Sequence, residues 1–261
     1  MDINLSGKKA IVCGSTEGIG KASAVELALL GAEITLIARN EEKLKNVCHA
    51  LPSPQGQRHN FLVADFTNPD QLQNRINHFA RSNAVHILVN NTGGPQPGPA
   101  LDAQTSEFVA AFSAHVLCNQ ILVQALVPGM KSAAYGRSIN IISTSVKVPI
   151  KGLGVSNTIR AAVANWSKTL ATELAPFGIT VNNVLPGASM TGRLQHIIST
   201  TASRSGKTPN EIKRKMEEEI PAGRISDPAE IAAAVAFLAT PAAGYITGIN
   251  VPVDGGRTGS L

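Results

Sequence analysis

The chain has 261 residues, 43% of them hydrophobic and 16% charged, with a formal net charge of +5. That is enough apolar material for a sizeable α/β core, and the scattered basic residues with only 4% aromatics exclude the clustered charge and stacking rings of a nucleic-acid surface, leaving a basic protein with anionic small ligands. Cys13, Cys48 and Cys118 are too separated for a disulfide framework, no His or Cys spacing matches a metal site, no apolar run approaches membrane-spanning length, and Met1–Gly7 does not read as a secretory signal, so a reduced, cytoplasmic protein is expected, with no metal and no membrane.

The opening apolar run Ala10–Cys13 reads as a strand. Gly14, Gly18 and Gly20 follow in the spacing Gly-x-x-x-Gly-x-Gly, and an amphipathic helix then runs to a stop at Gly31. Glycines at such a turn let the backbone approach a pyrophosphate, and the helix amino terminus offers it free N–H groups and partial positive charge. The turn residues Gly14, Ser15, Gly18, Ile19 and Gly20 are therefore candidate cofactor contacts. Glu33–Ala38 completes a βαβ unit. An acid at the end of that strand would bind the ribose hydroxyls of NAD; the strand here ends in Ala38 followed by Arg39, a cation suited to the 2′-phosphate of NADP. NADP(H) is therefore the expected cofactor, with NAD(H) as the alternative.

The third strand, Asn60–Ala64, closes at Asp65 and Phe66, where a carboxylate could accept from the adenine amino group. Asn68, Pro69 and Gln71 start a helix with a cap, a first-turn proline and a reciprocal glutamine. The fourth strand, Val85–Asn90, leads into Asn91-Thr92-Gly93-Gly94, and a long helix spans about Thr105 to Lys131. The fifth strand, Ser138–Ile142, ends at Ser143, and a helix runs from about Val155 to Leu174. The sixth, Ile179–Leu185, is followed by Pro186-Gly187. The stretch from Ala188 to Ile220, with two short helices, is long for a connection and reads as a substrate lid. A last helix is capped by Asp227 and Glu230. Strands alternating with helices and no linker between them predict one domain over 1–261, a doubly wound parallel sheet whose ligand lies past the strand carboxyl ends.

The chain resembles the short-chain dehydrogenase/reductase family over almost its whole length. The matching pieces are the glycine turn, Asp65, Asn90-Asn91-Thr92-Gly93, Ser143, Pro186-Gly187 with Thr191, Ile246-Thr247-Gly248 and the closing Val253-Asp254-Gly255-Gly256. The resemblance implies a Rossmann fold, a nicotinamide cofactor held also by Asn91, Gly93, Pro186, Gly187 and Thr191, a small-molecule carbonyl substrate, and a homotetramer or homodimer. The chain departs from the family at the chemistry. Where the family has its Tyr-x-x-x-Lys pair, counting from Ser143 gives Ser156 and Arg160, and neither Tyr135 nor Tyr245 falls in register. A family asparagine on the long helix corresponds to His115, and Glu17 stands where many NADP-preferring relatives carry a base.

Ser156 cannot inherit the role of a phenol, because an aliphatic alcohol is a far weaker acid. Arg160, one helical turn on, could hold the cofactor ribose but cannot deprotonate. Lys147 is the preferred proton donor, since a lysine beside another cation has a lowered pKa and its surroundings resemble a branch of the family that lacks the tyrosine; His115 is second and Lys151 weaker. Ser143 would polarise the substrate oxygen. The expected activity is hydride transfer between NADP(H) and a ketone or secondary alcohol, including 3-oxoacyl-type compounds. The alternative is a non-catalytic sensor or scaffold that binds the nicotinamide cofactor.

Overall fold

The computed structural model describes residues 1–260. Seven strands, β1 (Lys9–Cys13), β2 (Glu33–Ala38), β3 (Asn60–Val63), β4 (Ile87–Asn90), β5 (Gly136–Ile141), β6 (Ile179–Pro186) and β7 (Asn250–Val253), form one parallel sheet in the order β3-β2-β1-β4-β5-β6-β7. The helices are α1 (Gly18–Leu29), α2 (Glu41–Ala50), α3 (Pro69–Ala80), α4 (Thr105–Phe112), α5 (Cys118–Ser132), α6 (Gly154–Leu174), α7 (Gly192–Ser205), α8 (Pro209–Glu218) and α9 (Pro228–Ala239). This is the doubly wound, single-domain Rossmann-type arrangement. Strand order reverses between β1 and β4, which opens a crevice at their carboxyl ends.

The strands are apolar on both faces because both are covered. Ala10 and Val12 point into a core shared with Ala24 and Leu27 of α1 and Ile231 and Val235 of α9. Ile11 and Cys13 point the other way, into a core with Leu72 and Ile76 of α3 and Leu122 and Leu126 of α5. Alternate residues of one short strand thus anchor two layers.

The long helix differs from expectation in two ways. A π turn, Ser113–Leu117, separates α4 from α5 and carries His115; extra residues of this kind leave no trace in an apolar periodicity. The run Thr105–Ser132 also has the length and apolarity of a membrane span, at 28 residues with an 18-residue stretch of mean hydropathy 1.5. That corrects the reading of the sequence as free of such runs. Here Cys118, Leu122, Leu126 and Met130 are buried in the core rather than offered to lipid.

A ladder of asparagines crosses the sheet one layer below the crevice. Asn90, Asn140, Asn183 and Asn250 are register partners on β4 to β7. Each Nδ2 donates to the next Oδ1, at 2.8, 2.9 and 2.8 Å. Buried amides would each cost free energy alone; pairing in series satisfies most of their groups, with the Asn90 Oδ1 left without a partner among the described residues, and ties four strands together.

Candidate functional site

The glycine turn between β1 and α1 is formed by backbone pressed on backbone. Gly14 has φ +58°, and a Cβ there would lie 2.6 Å from the Asn91 carbonyl oxygen. A Cβ on Gly20 would lie 2.2 Å from the Gly14 carbonyl oxygen. Asn91 closes the turn from β4 by donating its Nδ2 to Gly14 O at 3.3 Å. No side chain caps α1, whose N-cap is Glu17 and whose first turn carries no acid. By contrast α2, α3, α7, α8 and α9 each carry a side-chain cap, from Asn40, Asn68, Thr191, Thr208 and Asp227. The first amides of α1 are thus left for an external anion, and the turn fits a dinucleotide pyrophosphate.

Arg39 is exposed at the end of β2 and, among the described residues, meets no carboxylate. Glu17 leans instead toward Lys43 of α2, at 3.8 Å. Asp65 is half-buried past β3 and accepts from the Thr67 amide at 2.9 Å. Phe66 is buried, and its carbonyl accepts from the Cys118 thiol. Ile19 is half-buried behind the turn. Ser15 is fully buried and its hydroxyl turns toward the Ile37 carbonyl, so it lends its backbone to the turn. The cap on α3 is likewise one-sided, with Asn68 accepting from the Gln71 amide at 3.0 Å.

Past β4 and β5 the structure gathers His115, Arg160 and Gly93. Arg160, on the first turns of α6, is 9% exposed; its Nη1 donates to the Ile141 carbonyl at 3.0 Å and its Nη2 reaches the Thr92 carbonyl at 3.5 Å. It therefore ties the ends of β5 and β4 together. Burial and the nearby Arg193 push its pKa down to about 10, so it remains a cation near neutrality. His115 is 3% exposed, faces Arg160 and Arg193, and is hydrogen-bonded to the Gly93 backbone. Burial first, then the charge of Arg160, push its pKa down to about 3. The imidazole is thus neutral at physiological pH, which removes it as the source of the proton.

Ser143 stands half-buried at the end of β5, where its hydroxyl accepts from the Ser145 amide at 3.1 Å. The hydroxyl proton remains available to donate outward. Lys147, one turn further, is half-buried and meets no carboxylate among the described residues; Lys151 is exposed. Ser156 is half-buried in the first turn of α6. Neither tyrosine is near these groups. Tyr135 immediately precedes β5 and so lies at its amino end; its hydroxyl donates to the Ala239 carbonyl at 2.6 Å, and Lys8 and Arg137 sit over its ring. Tyr245 is fully exposed.

Two loops frame the crevice. Gly98 N donates to Gly152 O at 2.7 Å and Gly154 N to Gly98 O at 2.9 Å, zipping the loop after β4 to the loop after β5. Asn157 braces the second loop from α6 by bonding the backbone of Ile150. The segment after β6 starts with Pro186, Gly187 and Thr191, all half-buried, and Thr191 Cγ2 lies 3.1 Å from the position of a Cβ on Gly18. Its two helices, α7 and α8, share a small core of Ile198, Ala202 and Ile212. Arg193 at the start of α7 donates to the Gly94 and Pro95 carbonyls, at 3.0 and 3.1 Å. Sequence reasoning missed Arg193; the signal available was a lone cation at the head of an otherwise uncharged first turn. It also missed the asparagine ladder, whose signal was an asparagine recurring within apolar strands.

Fold and glycine turn together define a Rossmann-type α/β protein with a dinucleotide cradle. The family model described as "Enoyl-(Acyl carrier protein) reductase" matches residues 14–258. The chain is 32% identical to the 3-oxoacyl-(acyl-carrier-protein) reductase of Vibrio cholerae over 255 residues, covering 97% of this chain and 98% of that protein. It is 27% identical to the NADPH-dependent reductase BacG of Bacillus subtilis over 259 residues, 98% and 100% of the two chains. Among solved structures, L-sorbose reductase from Gluconobacter frateurii, complexed with NADPH and L-sorbose, superposes with a TM-score of 0.94 at 30% identity, covering 100% of each chain. The chain belongs to the short-chain dehydrogenase/reductase family, a family of NAD(P)-dependent oxidoreductases.

Proposed function

We propose that this protein is an NADP(H)-dependent reductase of a ketone, 3-oxoacyl-type compounds included, that works without a catalytic tyrosine. The observation that carries the reading is the placement on neighbouring strand ends of an uncapped glycine turn and the group Ser143, Arg160 and His115. Relatives whose names or complexes specify NADPH support the cofactor, as does the exposed Arg39.

When bound, the cofactor supplies hydride to the carbonyl carbon. The chain's own residues do the rest. The free amides of α1 hold the pyrophosphate, and Asn91, Gly93, Pro186, Gly187 and Thr191 line the way to the reacting end. Arg39 takes the 2′-phosphate, and Asp65 with the Phe66 backbone flanks the adenine. Ser143 donates a hydrogen bond to the oxygen that gains charge, and Arg160 adds positive field without giving up a proton. His115, neutral, positions the Gly93 backbone. The proton goes to the alkoxide from Lys147, from water or from the substrate. Ser156 lines the site without an acid–base role. The segment α7–α8 serves as the lid, and exposed Val109, Phe112 and Leu117 on α4–α5 support association into a homodimer or homotetramer.

The test is transfer of label from NADPH deuterated at the nicotinamide C4 into a pool of ketones, oxo acids and 3-oxoacyl thioesters, read by mass spectrometry. A labelled alcohol supports the reductase. Tight NADPH binding with no labelled product overturns it in favour of a sensor or scaffold, a reading favoured by the remoteness of both tyrosines.

A further inference from the structure

The site is built from cations that have no anion. Between Glu107 and Glu211 the only acidic residue is Glu173, against nine lysines and arginines. This span supplies the end of β5, the loop after it, α6, and all of α7. Glu173 lies in the last turn of α6, thirteen residues beyond Arg160, or about 20 Å along the helix axis and toward the opposite edge of the sheet. Among the described residues, Lys147, Arg160 and Arg193 form no ion pair. Carboxylates that border the region are engaged with backbone. Glu107 accepts from the Gln104 amide, and Asp254 accepts from the amides of Gly256 and Thr258. Asp102 is exposed on the loop after β4.

Collecting like charges is unfavourable, and burying one without a counter-charge more so. Arg160 is buried, and the charge of Arg193, which is itself exposed, helps to push its pKa down. The cofactor's phosphates belong at the α1 turn and at Arg39, so they do not supply the missing charge here. Arg193 spends two of its five N–H donors on the Gly94 and Pro95 carbonyls, which fixes the guanidinium beside the crevice and leaves three donors free. A planar donor fixed in this way suits two oxygens of one anion.

We propose that the substrate carries, besides its carbonyl, an anionic oxygen group, carboxylate or phosphate, that binds at Arg193 with Lys147 and Arg160 contributing positive field. This rests on the reductase reading above and names its substrate class. Binding would also close the lid: an anion held by Arg193 is tied through it to the loop after β4, so the charged group on the substrate completes the wall of its own pocket.

The experiment compares matched pairs under NADPH oxidation: a 2-oxo acid and its methyl ester, a 3-oxo acid and its methyl ester, and dihydroxyacetone phosphate and dihydroxyacetone. The charged member of at least one pair is expected to have a kcat/KM at least about tenfold higher, and which pair shows it separates carboxylate from phosphate. In Arg193→Gln that ratio is expected to fall about tenfold, chiefly through KM of the charged member. Arg193→Lys should restore part of it. Equal rates within every pair, or an unchanged ratio in Arg193→Gln, would overturn the proposal and leave the reductase standing, with Arg193 serving only as a latch. A second readout needs no turnover: malonate and inorganic phosphate titrated into the NADPH complex, followed by nicotinamide fluorescence. Saturable binding in the wild type that is weakened in Arg193→Gln upholds the anion site even if no ketone is reduced. No binding of either anion counts against it.

Discussion

The phosphate turn and the substrate mouth lie on adjacent strand ends and are held in shape by different means. At the turn, backbone touches backbone: the space for a Cβ on Gly14 or Gly20 is already filled by carbonyl oxygens, with side-chain ties from Asn91 and Ser15. At the mouth, side chains hold the backbone: Arg160 spans the ends of β4 and β5, Arg193 grips two carbonyls, and Asn157 braces a loop. A region made of backbone contacts tolerates few residues, so it is visible in its glycines. A region made of side-chain contacts can exchange residues and still close. That difference explains why the turn can be read from residue types alone while the mouth cannot.

Breaking the mouth at its reacting group should have the largest effect. Ser143→Ala is expected to lower kcat by about 100-fold or more, the usual loss on removing an oxyanion donor. Ser156→Ala should stay within about threefold, since a serine hydroxyl is too weak an acid to deliver the proton. Stopped-flow NADPH oxidation measures both, and a severe loss at Ser156 alone would reverse their roles. Breaking the turn is next. Gly20→Ala places a Cβ 2.2 Å from the Gly14 carbonyl, and the turn must open. Calorimetric titration should show NADPH affinity falling at least about tenfold, because the pyrophosphate loses aligned donors.

A pH experiment sharpens the contrast, because the mouth holds a buried histidine. His115 has a folded pKa pushed down to about 3 against an ordinary value of 6.5. The unfolded chain therefore binds the proton first, and stability is lost as pH falls from 6.5 toward 3. Between pH 6.5 and 5 the contribution is about 2 kcal/mol. His115→Asn should flatten that part of the pH–stability curve, measured by denaturant unfolding, and an unchanged slope would show that the imidazole is solvated. The smallest effect belongs to the rim of the turn. Arg39→Ala should weaken NADPH binding about tenfold while leaving NADH nearly unchanged, the loss of one charge-assisted contact at an exposed site. Equal weakening of both cofactors would remove Arg39 from the 2′-phosphate.

Much of the molecule was legible in the chain because its signals are local. Strand and helix positions followed from apolar runs and periodicity, and the capping boxes of α8 and α9 from Thr208 with Glu211 and Asp227 with Glu230. The π turn under His115 was not legible: its residues keep the apolarity of the surrounding helix, and only the backbone path reveals the added width. Nor was the direction of the Ser15 hydroxyl, because position in a turn does not give side-chain direction, and the fold turns it into the core.

By itself the sequence determined the parallel sheet, the glycine cradle, the cation after β2 and the absence of an in-register tyrosine, since each depends on residues within a few positions of one another. Tertiary structure alone decided which distant residues meet. It paired asparagines 43, 50 and 67 positions apart into one ladder, set Arg193 on a loop 98 and 99 positions earlier, and buried His115 against Arg160. The physical reason is that hydrogen bonding and burial act across strand neighbours, and in a doubly wound sheet those neighbours are joined through helices long enough to erase any sequence spacing between them.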